Sequence, residues 1–336
     1  MLGAYGKSQQ ISAELEQVIE TAGKRKKRVA LRELEKQSAT LDYEELLRLL
    51  KKDLRLAYHA LNRILKEEQQ LQSILASYSQ LNEQYKRQSD LQNVAKADFY
   101  RIQTELISLQ NEQTELENQK FDALTLIRTL THQPDLQLSH IGFPTLLYKP
   151  LDLLPMNISE EARQHNIGLL QQENEIKVAE NQLLLAKAER RPDLMVQMKY
   201  DRGSNIMNNF IGFGLSMDLP IFNRNSGNIK AAQWQIEEQK STHQMLDNQL
   251  SLVVGNLVNQ LNRLAYSLGN FPSQHLNEQT QMIENYKKHL QQKQITLLEF
   301  IDFIKAFREA NKSYFLLQET YNKTLEELQY TAGKDF

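Results

Sequence analysis

The sequence has no cysteine, few aromatic residues and no long apolar run, and each absence excludes a class of structure or chemistry. Without cysteine there are no disulfides, thiolate nucleophiles or thiolate metal sites. Aromatic residues make up only 8% of the chain, a composition that suits long paired helices better than one large compact core. No stretch of about eighteen apolar residues occurs, so we expect no transmembrane helix. The 40 basic and 42 acidic side chains nearly balance, which gives no electrostatic reason to expect nucleic acid as a partner.

Catalytic and metal-binding motifs are missing as well. The 7 histidines are scattered, with no pair at metal-ligand spacing and no cysteine beside them. No glycine-rich phosphate loop occurs either. We therefore expect no enzyme activity, no cofactor and no resident metal.

Heptad spacing and proline placement predict long helices on either side of a connector. Four of the 7 prolines lie within 132–157, which predicts an irregular segment there. Apolar residues recur every three or four positions over 27–88 and again over 102–130, as in paired helices. A helix over 27–88 would be about 90 Å long, too long for one globular domain. Further helical patterns cover 159–190, 227–268, 273–294 and 297–331. These patterns alone are equally typical of a soluble coiled-coil scaffold or adaptor protein.

Two short segments alternate with a period of two, which predicts β-strands. Strand 210–220 places glycine, serine and aspartate between its apolar residues, and 193–202 alternates in the same way. The polar sequence between them predicts a hairpin over 193–220. Each strand has about ten residues, the length of a tilted transmembrane β-strand. The alternative is a soluble hairpin packed on a core. In the transmembrane interpretation, the predicted lipid face consists of Ile211, Phe213, Leu215, Met217 and Leu219.

The sequence also repeats itself at a shift of 200 positions. Ile11, Leu15 and Ile19 fall on Ile211, Leu215 and Leu219, which predicts another strand near the start of the chain. The repeated unit is a helix, two strands, a long helix and a returning helix. We therefore divide the chain into a partial first repeat (10–131), a connector (132–157) and a second repeat (158–336). The first repeat lacks its leading helix and strand, so we expect about a hundred further residues upstream, including a signal peptide.

Two capping-box patterns mark the predicted tips of the helical hairpins. A hydroxyl residue is followed three positions later by Gln or Glu at Ser89 with Gln92 and at Thr296 with Glu299. Each pattern follows one long helix and opens the next. We therefore expect Ser89 and Thr296 to be the N-cap residues of the two returning helices.

Three runs of the sequence are the most distinctive: Arg190-Arg191-Pro192-Asp193-Leu194, the run from Gly212-Phe213-Gly214 through Asn225-Ser226-Gly227-Asn228-Ile229, and Thr296-Leu297-Leu298-Glu299-Phe300-Ile301-Asp302. They resemble the TolC-like outer-membrane efflux proteins, especially the heavy-metal efflux branch. The resemblance implies a mainly α-helical protomer with long antiparallel helical hairpins and a small transmembrane β part. Each protomer of a homotrimer would give four strands to one barrel in the outer membrane, with a long periplasmic tunnel below and an equatorial belt at 132–157. The implied partners are outer-membrane lipid, a periplasmic adaptor and an inner-membrane RND-type pump, for which the channel is an exit duct.

The same resemblance implies a gate at the helical tips. Acidic residues matching Glu299 and Asp302 line the closed entrance in the family, and a threefold axis would gather them into a carboxylate ring. Gln92 stands where the family has an acid on the first tip. The alternative is that acids in a first helical turn only complement the helix dipole. A basic run, Lys24–Arg28, either contacts phosphate head groups at the barrel rim or is a solvated junction.

Overall fold

The computed structural model describes residues 11–143, 154–155, 157–202, 209–219, 224–270 and 279–336. Within them the chain is mainly α-helical with one small antiparallel sheet, as the sequence predicted. The predicted helix 159–190 is divided at Asn166 into two helices. The helices are α1 (Lys24–Asp90), α2 (Lys96–Thr131), α3 (Ile158–His165), α4 (Ile167–Glu189), α5 (Ser226–Gly269), α6 (Gln279–Gln291) and α7 (Leu297–Ala332), and the strands are β1 (Ile11–Ile19), β2 (Leu194–Arg202) and β3 (Asn209–Met217).

The described residues belong to two compact units. The strand unit combines the segment ending at Glu44 with Ile167–Asn248. The tip unit combines Glu45–Asn166 with Gln249–Phe336. Helices α1 and α5 each contribute to both, so each unit contains parts of both predicted repeats. Residues 203–208 of the predicted hairpin, and residues 144–153 and 156 of the predicted connector, lie outside the described residues.

In the strand unit, the sheet has the order β1-β2-β3 and both pairings are antiparallel. Leu15 lies opposite Met198, which lies opposite Phe213. Residues directly opposite each other share a face of the sheet, so the alternation found in each strand is aligned across all three. One face is therefore largely apolar. The other carries most of the polar and small residues, including Ser12, Glu14, Glu16, Gln197, Lys199, Gly212, Gly214 and Ser216.

In the tip unit, the core lies where α1, α2, α6 and α7 pack together. Tyr78 from α1, Ile102 from α2, Ile283 from α6 and Phe300 from α7 are all buried there. Helix-period spacing explains this core, because residues three or four apart on one helix share a face. The predicted seam along α1 is buried only in part. Leu61, Ile64 and Leu71 are buried as predicted, whereas Leu47 and Leu50 are exposed in this chain.

The end of α7 packs against the break between α3 and α4. The Nδ2 group of Asn166, the residue at the break, donates a hydrogen bond to the Thr331 carbonyl at 2.8 Å. Gly333 ends α7 with a φ of +69°. A Cβ atom there would lie 1.9 Å from the His165 carbonyl oxygen. The left-handed backbone favours glycine, and the close approach to His165 excludes any larger residue.

Candidate functional site

The second tip begins at a complete capping box. The Thr296 Oγ1 atom accepts a hydrogen bond from the Glu299 backbone N–H at 3.2 Å. In return, the Thr296 backbone N–H donates to Glu299 Oε2 at 2.7 Å, and the Thr296 hydroxyl donates to the same oxygen at 2.9 Å. The bond from the Thr296 backbone, followed by that from its hydroxyl, lowers the pKa of Glu299 below its ordinary value. Glu299 is therefore held as an exposed carboxylate at the start of α7.

Asp302 lies one turn further along α7, on the wall of a groove between the starts of α2 and α7. The groove has a volume of about 540 Å³, and Arg101 and Lys305 also line it. Lys305 Nζ lies 2.6 Å from a Glu105 carboxylate oxygen across the groove. In the described part of the chain, Asp302 has no ion-pair partner. Two carboxylates, Glu299 and Asp302, thus face solvent at this helix start.

The first tip differs from the sequence prediction. Ser89 is not an N-cap residue: it is buried within the last turn of α1, which continues to Asp90. Gln92 follows with a φ of 61° and ends the helix, with the Asn93 backbone N–H donating to the Gln88 carbonyl. Helix α2 begins only at Lys96, and its N-cap residue Ala95 offers no side-chain hydrogen bond. The expected cap at Ser89 was wrong because the pattern lies inside α1, which runs to Asp90 and whose last turn is closed by the Leu91 backbone N–H donating to the Arg87 carbonyl.

The backbone hydrogen bonds align the two tips at a shift of 201 positions. Lys293 repeats the left-handed conformation of Gln92, with a φ of 59°. The pattern of backbone hydrogen bonds around it is also repeated: Asn93 to Gln88 and Gln92 to Ser89 in the first tip correspond to Gln294 to His289 and Lys293 to Leu290 in the second. Ala95 and Thr296, the two N-cap residues, are equivalent as well.

This alignment identifies two tip residues that the sequence reasoning missed. The equivalent of Glu299 is Asp98, and the equivalent of Asp302 is Arg101, so Gln92 is not the counterpart of either acid. Arg101 Nη1 lies 3.5 Å from Asp98 Oδ1 within the first turn of α2. The shift of 201 also pairs Asp98-Phe99 with Glu299-Phe300, a signal that the sequence contains.

Four of the five predicted lipid-facing residues lie together on the exposed apolar face of β3, and Leu219 follows the end of the strand. Phe213 is 78% exposed and Leu215 is 74% exposed. The remaining three, together with Ile11, Leu15 and Ile19 of β1, are also exposed. Side chains of this size are seldom left in water as a contiguous set on a soluble monomer, so such a face indicates contact with a partner or a membrane.

A buried ion pair joins the start of α1 to the start of β2. Lys24 Nζ lies 2.7 Å from Asp193 Oδ1 and donates to the Arg191 carbonyl at 2.8 Å. The same Asp193 oxygen accepts the Thr21 backbone N–H at 2.8 Å. Arg28 pairs with Glu20. Lys24 and Arg28 of the basic run therefore stabilise the strand–helix junction, and Lys24 is buried there instead of solvated.

The described residues contain no group of three His, Cys, Asp or Glu side chains arranged to hold a metal ion. None of the described helices combines the length and the apolar character needed to cross a membrane. The two tips present exposed charged side chains, and the sheet presents an exposed apolar surface.

Comparison with known proteins identifies the fold. No protein-family model and no curated protein matches the sequence. The outer-membrane channel CmeC of Campylobacter jejuni superimposes with a TM-score of 0.80 at 13% identity, over 96% of this chain and 71% of that one. The open state of the Neisseria gonorrhoeae outer-membrane channel MtrE gives 0.75 at 14% identity, over 97% and 80%. A membrane protein of Pseudomonas aeruginosa gives 0.82 at 12% identity, over 98% and 81%. The chain has an outer-membrane channel fold.

The outer-membrane channel fold agrees with the helices and the small sheet predicted from the sequence. At this level of identity the likeness establishes the fold, and it assigns no role to any residue. The structures that match carry several different channel names, so the likeness does not single out the heavy-metal branch.

Proposed function

We propose that the chain is one protomer of a homotrimeric outer-membrane channel that acts as the passive exit duct of a tripartite efflux system. Its partners would be outer-membrane lipid, a periplasmic adaptor and an inner-membrane RND-type pump, with the long helices extending into the periplasm. The observation that carries the proposal is the exposed apolar sheet face on a chain with the fold of outer-membrane channels.

The edges of the sheet support assembly into a closed barrel. The outer edges of β1 and β3 have no partner strand among the described residues. In a lipid environment each unpaired backbone N–H or C=O group costs several kcal/mol, so an open edge needs a neighbouring strand. Strands from neighbouring protomers would supply it in a trimeric barrel.

The membrane placement can be tested with one substitution on each face of β3. Leu215→Arg places a charge on the apolar face, whereas Ser216→Arg places the same charge on the opposite face of the same strand. An arginine facing lipid near the bilayer centre costs about 2–4 kcal/mol. We expect Leu215→Arg to reduce the amount of protein in the outer-membrane fraction strongly, and Ser216→Arg to leave it near the wild-type level.

The wild-type protein should also require detergent for extraction and migrate as a trimer. A wild-type chain that is a water-soluble monomer without detergent would refute the duct and favour the soluble scaffold. Equal membrane levels of the two arginine variants would remove the apolar face as its support.

We further propose that Glu299 and Asp302 from three protomers form a carboxylate ring at the periplasmic entrance. Such a ring favours cations, and it is compatible with metal ions or drugs as cargo. Single-channel recording of the Glu299→Gln/Asp302→Asn double variant tests the ring. We expect weaker cation preference and altered gating, and a variant that behaves as wild type would remove the ring from the mechanism.

A further inference from the structure

The two helical tips have the same backbone design and opposite charge at one position. Helices α2 and α7 both start at an extended N-cap residue that follows a left-handed helix end. At the third position of each helix both tips carry an acid, Asp98 or Glu299. One turn later the first tip carries Arg101 where the second carries Asp302.

Ion pairs join the same two helices, and the acid and the base keep the same helix from one pair to the next. Acids on α2 pair with bases on α7: Glu105 with Lys305 at 2.6 Å, and Glu112 with Arg308 at 3.2 Å. At the next position toward the tip the order is reversed, with the base on α2 and the acid on α7. Arg101 and Asp302 line the same groove, but the structure places Arg101 beside Asp98 and leaves Asp302 without an ion-pair partner among the described residues.

The burial of Tyr78 places Asp302 close to the core of the tip. Burial raises the pKa of the Tyr78 hydroxyl well above its ordinary value, and the carboxylates of Glu105 and Asp302 raise it further. Asp302 thus lies beside the buried core of the tip while its own carboxylate is exposed in the groove. A carboxylate is stabilised by a nearby cation. Arg101, which pairs with Asp98 at 3.5 Å and lines the same groove, is the cation at the reversed position of this charge order.

We propose that Arg101 is the counter-charge of the entrance acids and a determinant of the ion preference of the channel. This inference rests on the proposed duct, with the tips at its entrance. The helix starts of one protomer then present three carboxylates (Asp98, Glu299 and Asp302) and one guanidinium. The long arginine side chain turns between Asp98 and Asp302, so that the entrance is partly neutralised instead of carrying acids alone.

The test is the potassium-to-chloride permeability ratio of the full chain reconstituted in planar bilayers under a KCl gradient. Arg101→Gln removes the counter-charge, and we expect the ratio to rise about five-fold, because one unit charge at roughly 8 Å in water changes the potassium and chloride permeabilities about 2.4-fold each, in opposite directions. Asp302→Asn should lower the ratio by a similar factor. Arg101→Lys keeps the charge and should restore the wild-type ratio, which a purely structural role for the arginine would not predict.

Arg87→Gln is the matched control. Arg87 is an exposed arginine in the last turn of α1, it pairs with Glu83, and it does not line the groove with Asp302. We expect its ratio to stay at the wild-type value. An unchanged ratio in Arg101→Gln, or an equal rise in Arg87→Gln, would overturn the role of Arg101 while leaving the duct intact. Wild-type protein that forms no conducting pores would instead refute the duct, and this inference with it.

Discussion

The ion pair at the start of α1 provides the sharpest test of what holds the strand–helix junction. The Lys24 side chain is 8% exposed, and its ammonium group contacts Asp193 at 2.7 Å and the Arg191 carbonyl at 2.8 Å. Lys24→Met keeps most of the apolar stem and removes both contacts. Breaking a fully buried pair costs about 3–5 kcal/mol. Asp193 keeps its bond from the Thr21 N–H and is 31% exposed, so we expect a smaller loss of about 2 kcal/mol.

Hydrogen exchange measures this loss locally, without assuming that the whole protein unfolds in one step. A loss of about 2 kcal/mol corresponds to roughly thirty-fold faster exchange of the protected amides, since about 1.4 kcal/mol is a factor of ten. The peptide that contains Thr21 and the first turn of α1 should therefore exchange faster in Lys24→Met.

Lys26→Met is the control for this experiment, because Lys26 is an exposed lysine in the same turn of α1. It should exchange at the wild-type rate. Equal rates in the two variants would show that the ion pair contributes nothing to the junction. A double-mutant cycle with Asp193→Asn then isolates the pair itself, and a coupling energy near zero would contradict the reasoning.

Two further predictions concern the tip unit. Thr296→Ala should destabilise the protein by about 1 kcal/mol because the cap is lost. Ala95→Thr should stabilise it by up to about 1 kcal/mol, because Asp98 already stands at the third helical position and can complete a capping box. Thermal unfolding measures both changes, and shifts in the same direction would contradict the equivalence of the tips. Burial raises the pKa of the Glu326 carboxyl group, but its hydrogen bond with His59 and the positive charge of Arg55 lower it more. The net result is a pKa below the ordinary value for glutamate. A lowered pKa stabilises the fold above the unfolded value of about 4.3, and this contribution is lost as the pH falls through the lower folded value. Unfolding free energies measured from pH 6 to pH 3 should therefore fall less steeply for Glu326→Gln than for the wild type, and parallel curves would refute the assignment.

The strands could be predicted from the sequence because their signal is local. Side chains alternate across any β-strand, so Phe213 and Leu215 identify one face whatever the strand pairs with. The internal repeat extended this reasoning to β1, and the structure confirms a strand at Ile11–Ile19. The pairing of β1 with β2 is different in kind. It joins segments about 180 residues apart, and no local pattern reports which lysine will meet Asp193 across that distance.

The tips could be predicted only in part, because α1 ends without the usual stop signal. Helices commonly end at a glycine in the left-handed conformation. Here Gln92 and Lys293 adopt it instead, at a cost of about 1 kcal/mol each. Without a glycine to mark the end, the hydroxyl pattern at Ser89 suggested a helix start, although Ser89 is buried in the last turn of α1. Thr296 was identifiable because its cap pattern coincides with a real helix start.

The contrast between the tips separates what the fold requires from what the entrance chemistry requires. Both tips place a non-glycine residue in the left-handed conformation, and both start a helix four positions later. This backbone geometry does not depend on a side-chain cap, because Ala95 has none. The capping box of Thr296 is therefore an addition to a turn that forms without it. The same holds for charge, since the turn accepts Arg101 and Asp302 at one position. Because the backbone does not dictate either residue, their opposite charges must be explained by what the two helix starts face together, and the groove that Arg101 and Asp302 share is where that explanation can be tested.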